Sequence, residues 1–381
     1  MITGNLIEDP GDLEPWRAGW DALATGSGLP YCAPGWMLPW WRHVAPERSM
    51  LRVAIARDGD DVVGIAPFFA TRSKGLVRYG LLGLGVSPQR EPLVRPDVGR
   101  EAVQALCWAL SVADPPPDLV TFDGIRAGSS VSSQMVATWP GKRRPFIHRD
   151  LKRGVPFMSL SGGGFEAWLD SKSKNFRQGM RRGRRRLEQH GGHATLACSR
   201  SETMSALTSF FGLHHARWAS RGGSAVLTPK VEAMLLEVGA ELSAGNRLRV
   251  WSIEVEGRPV SVQLFVCAGG NVSYWLGGFD EGWAQYRPAM QTLLASLEHA
   301  WSVGDARFEL GPGRQEYKYR LADEEQTLER LTLVPPTGRF PLARAELTLK
   351  RIGRGAYGQI RARRASSRLM GRARKFVEGQ R

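Results

Sequence analysis

LRVAIARDGDDVVGIAPFFA, at residues 51–70, and LRVWSIEVEGRPVSVQLFVC, at residues 248–267, open with the same Leu-Arg-Val tripeptide. Each stretch consists of an apolar run, a short polar turn that contains glycine, and a second apolar run. This order is typical of a β-hairpin, because glycine tolerates the backbone angles that a tight turn requires. The sequence therefore predicts two hairpins at corresponding places in the two halves of the chain.

The correspondence between the halves continues beyond the hairpins. The shared order is third strand, helix and fourth strand, which fall at residues 75–85, 98–113 and 119–122 in the first half and at 271–280, 288–303 and 306–310 in the second. Five elements in the same order predict a tandem duplication of one α/β unit, a mixed sheet flanked by helices. We expect one unit at residues 1–150, a second at 151–334, and a basic tail at 335–381 that is partly helical or flexible.

Length and composition agree with two folded domains. The chain has 381 residues, of which 42% are hydrophobic and 23% charged, close to the averages of globular proteins. The net charge of +15 is uneven, because residues 341–381 contain twelve Lys or Arg and only two Glu. A basic tail of this kind favours an acidic partner, either an anionic membrane surface or a nucleic acid such as tRNA.

Several functional classes are disfavoured by the motifs that the sequence lacks. The four cysteines (Cys32, Cys107, Cys198 and Cys267) are far apart, which argues against a disulfide scaffold or a zinc site and suits a reducing cytosol. No segment has the pattern of a signal peptide or of a membrane span. No phosphate loop, intact dinucleotide motif, HExxH or GxSxG is present, and the histidines form no metal pattern. We expect a cytoplasmic protein, peripheral to the membrane if it binds one, with no metal.

Three helices are expected between the two units. The first, Phe165–His190, has an apolar face and eight basic residues between positions 172 and 186. Those charges repel one another unless they are neutralised, so this helix favours an anionic partner over an ordinary solvated face. A second helix, at about 202–220, places Leu207, Phe211, His214 and Trp218 on one face, and a third spans 230–243.

The second half contains a candidate anion site. A strand at 272–276 reaches Gly277 and Gly278, where a strand can splay or bulge because no Cβ obstructs it. A helix then begins near Pro288, after Arg287. The free amides of a helix start bind anions, so Leu276, Gly277, Gly278, Arg287, Pro288, Ala289 and Met290 are candidates to hold a pantetheine–pyrophosphate group. An ordinary strand–loop–helix unit would have the same pattern.

Four ordered motifs carry a family resemblance. They are SKNFR followed by RRxRRRLE (173–188), HHARW with RGG (214–223), GFD with YxP (278–288), and FELGPG with YK (308–318). This set resembles the CelD-type acetyltransferases of the GNAT family, which are associated with cellulose and exopolysaccharide production. They are related to the Fem-type transferases that build peptidoglycan cross-bridges and also have tandem GNAT domains. The resemblance covers about residues 10–330.

The resemblance implies transfer of an acyl group, acetyl first, from acyl-CoA to an amine or hydroxyl of a sugar-like or cell-envelope acceptor. The second unit would be catalytic, because the first has no counterpart of Arg287 and Pro288, Glu309 or Lys318. Two positions depart from the family. The glycines of its phosphate motif are replaced around residues 285–290, with Ala289 where relatives often have Gly. Glu309 also stands where many relatives have Asp.

Each candidate catalytic or substrate residue has a second interpretation. Glu309 is either a general base or a strand-end carboxylate paired with an arginine such as Arg314. Lys318 would contact phosphate or the tetrahedral oxyanion, and otherwise lies on the surface. Tyr317 is a general acid or a packed aromatic. In the helix at 202–220, Arg217 is a candidate for binding the acceptor. Trp218 is a candidate for the same site and also suits the apolar core. His214 is either a general base or a histidine of the core.

Two other functions remain open. A Fem-like aminoacyltransferase would use aminoacyl-tRNA, held by the basic helix at 172–186 and by the tail. A degenerate GNAT pair without activity would only bind an anionic partner. Binding of RNA that falls steeply with salt would favour the former. Retained acyl transfer in a chain that ends at Pro335 would count against the latter.

Overall fold

The computed structural model describes residues 1–349, and within that range thirteen strands form one sheet. The strands are β1 (Ile2–Ile7), β2 (Met50–Asp58), β3 (Asp61–Ser73), β4 (Leu76–Leu81), β5 (Leu93–Val94), β6 (Leu119–Arg126), β7 (Phe146–Ser159), β8 (His193–Leu196), β9 (Leu248–Val255), β10 (Arg258–Ala268), β11 (Asn271–Phe279), β12 (Arg307–Glu309) and β13 (Glu324–Val334). The predicted α/β class with a mixed sheet is confirmed.

Helices cover both faces of this sheet. They are α1 (Arg17–Gly26), α2 (Pro34–His43), α3 (Gly99–Ser111), α4 (Ser130–Thr138), α5 (Gly164–Ser171), α6 (Lys174–Gln189), α7 (Arg200–Ala219), α8 (Pro229–Leu242), α9 (Pro288–Ser302) and α10 (Glu316–Leu321). Residues 340–349 are also helical, and the remainder of the predicted tail, 350–381, lies outside the described residues.

The strand order repeats outward from the centre of the sheet. It runs β1-β2-β3-β4-β6-β13-β7-β12-β11-β10-β9-β8, with β5 paired to β3. In each half a hairpin leads to a strand whose next neighbour is parallel to it, β4 with β6 and β11 with β12. The two halves of the described chain therefore have the same topology, as the repeated sequence pattern predicts.

The final strand of each half is exchanged. β7 follows β6 in the chain but pairs with β12 of the second half, and β13 follows α10 but pairs with β6 of the first. β7 and β13 also pair with each other at the centre of the sheet. The predicted boundary after residue 150 lies inside β7, so the two proposed units contribute a strand to each other.

Both predicted hairpins are present, as β2–β3 and β9–β10. In the second, Glu256 and Gly257 form a two-residue turn with φ of 50° and 73°. Two positive φ angles are what the tightest hairpin turn requires, and glycine adopts one of them without steric cost.

The single helix expected at Phe165–His190 is wrong, because the chain forms α5 and α6 with a break between them. Lys172 has an extended backbone (φ −79°, ψ 162°). The side chain of Ser173 then accepts a hydrogen bond from the amide of Phe176, at 3.3 Å, and caps α6. A serine that satisfies a first-turn amide starts a new helix more readily than it continues an old one. The helices expected at 202–220 and 230–243 correspond to α7 and α8.

The largest apolar core is shared between the halves. Its members include Trp20, Trp36 and Trp40 from the first half with Phe210 and Met234 from the second, all at 0–1% exposure. Phe210 is fully buried where the sequence placed Phe211, and Phe211 is half-buried against the same core. α3 covers the opposite face of the first half, and α5 and α9 that of the second.

Candidate active site

The parallel pair in the second half separates after three residues. β12 pairs with β11 only from Asn271 to Ser273. β11 then continues to Phe279 with β10 on its other side, and a bulge at Trp275 shifts the register. One edge of β11 therefore faces a cavity of about 680 Å³ where a neighbouring strand would otherwise lie. Backbone groups of an unpaired edge are free to bind a ligand.

The two glycines of β11 have a different role from the one expected. The bulge lies at Trp275, not at Gly277 or Gly278. A Cβ on Gly278 would lie 2.8 Å from the amide nitrogen of His214, and one on Gly277 would lie 2.8 Å from Cγ of Gln263. The absence of side chains here lets α7 approach the strand closely.

The cavity wall is strongly cationic. Its charged lining residues within the described chain are Arg217, Arg287, Lys318 and Arg320, with no Asp or Glu among them. The apolar lining includes Phe176 and Met180 of α6, together with Met290 and Leu293 of α9. Arg320 is paired with Glu316. The remaining cations at the mouth of an apolar cavity attract an anionic group attached to a less polar body.

The start of α9 opens onto this cavity. Of the residues that the sequence proposed as an anion site, six line the cavity: Leu276, Gly277, Arg287, Pro288, Ala289 and Met290. Gly278 lies behind them, against α7. Arg287 has a left-handed backbone, φ 56°. Its carbonyl accepts the amides of Met290 and Gln291, and Pro288 has no amide hydrogen. The amide of Ala289 is therefore the first-turn donor that no contact in the described chain occupies.

Gln263, on β10, is a cavity residue that the sequence did not single out. Its Nε2 donates to the carbonyl of Ala289 at 2.7 Å. Its Oε1 is buried and has no partner among the described residues, although the residue is only 5% exposed. A buried acceptor without a donor costs free energy, so this oxygen is suited to an N–H or O–H of a ligand. Only the pairing of β10 with β11 places it here.

α6 lies across the start of α9 because two glycines allow close contact. Gly183 approaches the side chain of Gln291, and a Cβ there would lie 2.8 Å from its Nε2. Gly179 faces the guanidinium of Arg287. The carbonyl of Met180 accepts from Gln291 Nε2 at 3.1 Å. The sequence signal for this contact is the Gly-x-x-x-Gly spacing of residues 179–183, which lies within a run of arginines.

Lys318 and Tyr317 both line the cavity. The ammonium of Lys318 donates to the carbonyls of Gly311 and Pro312, at 3.2 and 2.9 Å. Burial lowers the pKa of Lys318 to about 8, because a buried site disfavours the charged form. Burial also raises the pKa of Tyr317, which keeps the phenol protonated at neutral pH.

Glu309 is not brought to the cavity. It is 4% exposed, and its carboxylate accepts from Arg307 Nε at 2.9 Å. Arg307 also donates to Gln326 and lies 3.3 Å from the centre of the Phe157 ring. The partner is Arg307, where the sequence suggested Arg314. Because side chains alternate along β12, Glu309 faces away from Phe308, which packs with α9.

The candidates on α7 meet at the cavity. His214 contacts the Gly277 carbonyl at 3.3 Å and the Ser224 hydroxyl at 2.9 Å, and burial lowers its pKa. Trp218 stacks on His214, with ring centres 6.0 Å apart. Arg217 lies 4.3 Å above the ring of Phe279. All three therefore line one wall, with His214 held by two partners.

The corresponding cleft of the first half is filled by its own chain. Arg90 is 3% exposed, and its guanidinium donates to the carbonyls of Gly83, Ser87 and Asp123 at 2.6–3.1 Å. These carbonyls belong to the loop after β4 and to β6. The side chain thus occupies the space between the separating strands that the second half leaves open.

The sequence of the second half matches a known family. Residues 174–319, from α6 into α10, match the family described as "Acetyltransferase (GNAT) domain". This part of the chain is therefore similar to a GNAT acetyltransferase domain. Curated protein sequences gave no significant match.

Solved structures share the fold over most of the chain. A crystal structure of FemX has a TM-score of 0.62 and 10% identity, covering 86% of this chain and 98% of that one. The C-terminal domain (DUF2156) of an Agrobacterium fabrum protein named as a lysylphosphatidylglycerol synthetase has a TM-score of 0.53 and 11% identity, covering 87% and 94%. A Bacteroides thetaiotaomicron protein of unknown function has a TM-score of 0.53 and 10% identity, covering 86% and 98%.

Two further properties concern the described residues as a whole. Within residues 1–349 no helix combines the length and apolarity needed to cross a bilayer. No three His, Cys, Asp or Glu side chains in that range are grouped as ligands of one metal ion.

Proposed function

We propose that the protein is an acyltransferase that takes an acyl group, acetyl first, from acyl-CoA to an amine or hydroxyl of a sugar-like or cell-envelope acceptor. The observation that carries this is the cavity beside β11, with four cations and no carboxylate in its described lining. Acyl-CoA combines a phosphate-rich end with a long, less polar arm that carries the thioester. The cationic rim and apolar floor match those two parts.

The proposed role of each residue follows from its position in the cavity. Arg287 and the amide of Ala289, at the start of α9, would hold phosphate. Backbone amides on the open edge of β11, at Leu276–Gly277, would polarise the thioester carbonyl. Gln263 Oε1 would accept a hydrogen bond from an amide of the donor arm. The wall formed by His214, Arg217 and Trp218 would receive the acceptor.

The shifted pKa values of Lys318 and Tyr317 are the basis for assigning the two proton transfers. The acceptor nitrogen or oxygen forms a bond to the acyl carbon as the carbon–sulfur bond breaks. Lys318, whose pKa of about 8 leaves part of it neutral near pH 7.5, would take the acceptor's proton. Tyr317 would give a proton to the departing thiolate. Lys318 thus takes the role that the sequence assigned to Glu309, which lies outside the cavity.

Calorimetric titration with acetyl-CoA and with a longer acyl-CoA tests this proposal. Arg287→Gln keeps a polar side chain at this position but removes the charge and the guanidinium, so it should weaken binding about tenfold or more. Arg100→Gln is the matched control, because Arg100 is exposed on α3 of the first half. No heat with either thioester would refute the acyl-CoA donor, and equal weakening by both variants would refute the site.

A second function is favoured by the charges of α6. Six of its seven cations divide into two sets, and the seventh, Arg186, lies over the ring of Tyr286. In the first set, Arg177, Arg181 and Arg184 pair with acids of α5, α6 and α9. Lys174, Arg182 and Arg185 are exposed and have no ion pair within residues 1–349. This outward set lies on the helix that also supplies Phe176 and Met180 to the cavity. This outward set would suit the phosphate backbone of an aminoacyl-tRNA, which is the donor in the Fem-like alternative. The basic tail would provide a further contact with the RNA.

Salt-dependent tRNA binding separates the two donors. Replacing Lys174, Arg182 and Arg185 by Gln should lower the slope of log affinity against log salt by about 2–3, since each lost phosphate contact lowers it by roughly 0.9. The acid-paired set, Arg177, Arg181 and Arg184, is the matched control and should change the slope by less than about 1. Equal effects of the two triple variants, or no tRNA binding, would reject this alternative.

A further inference from the structure

One end of the first half exposes apolar side chains that no element within residues 1–349 covers. On α3, Trp108 is 55% exposed and Val112 is 58% exposed, one helical turn apart on one face. Ser111, between them, borders a cavity of about 660 Å³ whose walls include Pro116, Trp139, Pro336 and Phe340. Large apolar groups left in water at this density mark an interaction surface.

The same cavity is bordered by three consecutive cations, Lys142, Arg143 and Arg144. All three are exposed, and none takes part in an ion pair within residues 1–349. The neighbouring carboxylate of Asp118 is engaged instead with the amide of Val77, the hydroxyl of Thr337 and the guanidinium of Arg339. The positive charge of the triplet is therefore directed to solvent.

The chain also leaves the described structure at this end. The helical segment 340–349 exposes Leu342 by 54% and Leu349 by 68%. The 32 residues that follow contain eleven Lys or Arg and one Glu. The start of the helical segment, at Phe340 and Pro341, lines the same cavity as the basic triplet.

We propose that this end of the molecule docks on an anionic lipid bilayer. We call it the Trp108 surface: Trp108, Val112, Lys142, Arg143, Arg144 and Leu342. Indole rings favour the interface between headgroups and hydrocarbon, and each Lys or Arg near an anionic surface adds attraction. Stable attachment takes two such signals together. A protein partner fits less well, because the cores of protein interfaces are depleted in Lys and this surface places its charges among its apolar groups.

Sedimentation of the full chain with vesicles tests the proposal. Vesicles of phosphatidylcholine alone would be compared with vesicles that also contain phosphatidylglycerol. The variant Trp108→Ser with Val112→Ser, and the variant with Lys142, Arg143 and Arg144 replaced by Gln, should each lower partitioning onto the anionic vesicles by about tenfold. Val303→Ser is the matched control, since Val303 is 50% exposed at the end of α9 in the other half.

The outcomes are distinct because both variants keep the basic tail. If either variant bound the anionic vesicles as strongly as the wild-type chain, the proposal would be overturned and the binding would be assigned to the tail. Failure of the wild-type chain to sediment with anionic vesicles would overturn it as well. Unchanged melting temperatures would show that the exposed substitutions leave the fold intact.

Discussion

At the residue scale, burial gives Lys318 a lower proton affinity than a lysine on the surface has. Its ammonium is buried with two carbonyl partners, and its pKa falls from 10.5 to about 8. A lysine on the surface would keep its proton until much higher pH. The cavity thus turns an ordinary cation into a group that exchanges a proton near neutral pH.

We expect Lys318 to lose its proton as the pH rises through about 8. Competitive labelling with acetic anhydride, read by peptide mass spectrometry, would show this midpoint, because only the neutral amine reacts. Exposed Lys230 on α8 is the internal control for the reactivity of the reagent.

The same shift predicts how stability depends on pH. The unfolded chain holds the Lys318 proton up to pH 10.5 and the folded chain up to about 8. Unfolding therefore takes up a proton between those values, and stability relative to Lys318→Met rises with pH across that window. A difference that stays flat from pH 7 to 10.5 would contradict the buried position.

Glu309→Gln should act on stability and leave the pH profile of activity unchanged. The carboxylate pairs with Arg307 outside the cavity, so its loss leaves that guanidinium short of a partner and costs about 1–3 kcal/mol. Urea unfolding gives the cost. A loss of the rising limb of the pH–rate profile would restore Glu309 as the general base.

At the scale of elements, the contact between α6 and α9 depends on a missing side chain. Gly183→Val should separate the helices, because Cβ would lie 2.8 Å from Gln291 Nε2, and donor binding should weaken several-fold. Gly212→Ala is the control: no atom lies within 4 Å of its Cβ position on exposed α7. That change should stabilise the fold by about 0.5–1 kcal/mol. Calorimetric titration and thermal melting check the pair.

The loop after β4 links the filled cleft of the first half to the cavity of the second. Arg90 holds this loop, Val86 accepts from the indole of Trp275 at 3.0 Å, and Ser87 accepts from that of Trp36 at 2.8 Å. Trp275 in turn lines the cavity. The first half therefore positions a wall of the proposed site while its own cleft stays closed.

Arg90→Met should destabilise the chain by about 3–5 kcal/mol, because the carbonyls of Ser87 and Asp123 lose a buried charged donor and the Asp123 carboxylate loses an ion-pair partner. Arg100→Met, on the exposed face of α3, should stay within about 0.5 kcal/mol. Chemical denaturation measures both. A small cost at Arg90 would mean that the loop is held by other contacts and that Trp275 does not depend on it.

At the scale of the whole molecule, the exchange of β7 and β13 joins the two halves into one sheet. The shared core of Trp20, Trp36, Phe210 and Met234 adds apolar burial across the same boundary. We expect thermal unfolding in a single transition, seen alike by near-ultraviolet and far-ultraviolet circular dichroism. Two resolved transitions, or a folded fragment of residues 1–150, would show that the proposed units are independent.

The sequence by itself determined the local elements of this protein. Alternating apolar runs and glycine turns predict both hairpins, and the repeated order predicts the duplication, since these patterns depend on neighbours along the chain. The same local signals located Arg287, Pro288, Tyr317 and Lys318, which do line one cavity.

Only the tertiary structure decided which of those residues act together. The exchange of β7 and β13, the closed cleft at Arg90, the inward acceptor of Gln263 and the pairing of Glu309 with Arg307 all join residues far apart in the chain or on opposite faces of a strand. Local periodicity carries no information on strand partners or on which face a neighbour covers. Those choices follow from the packing of the whole sheet, which also sets the burial that shifts the pKa of Lys318.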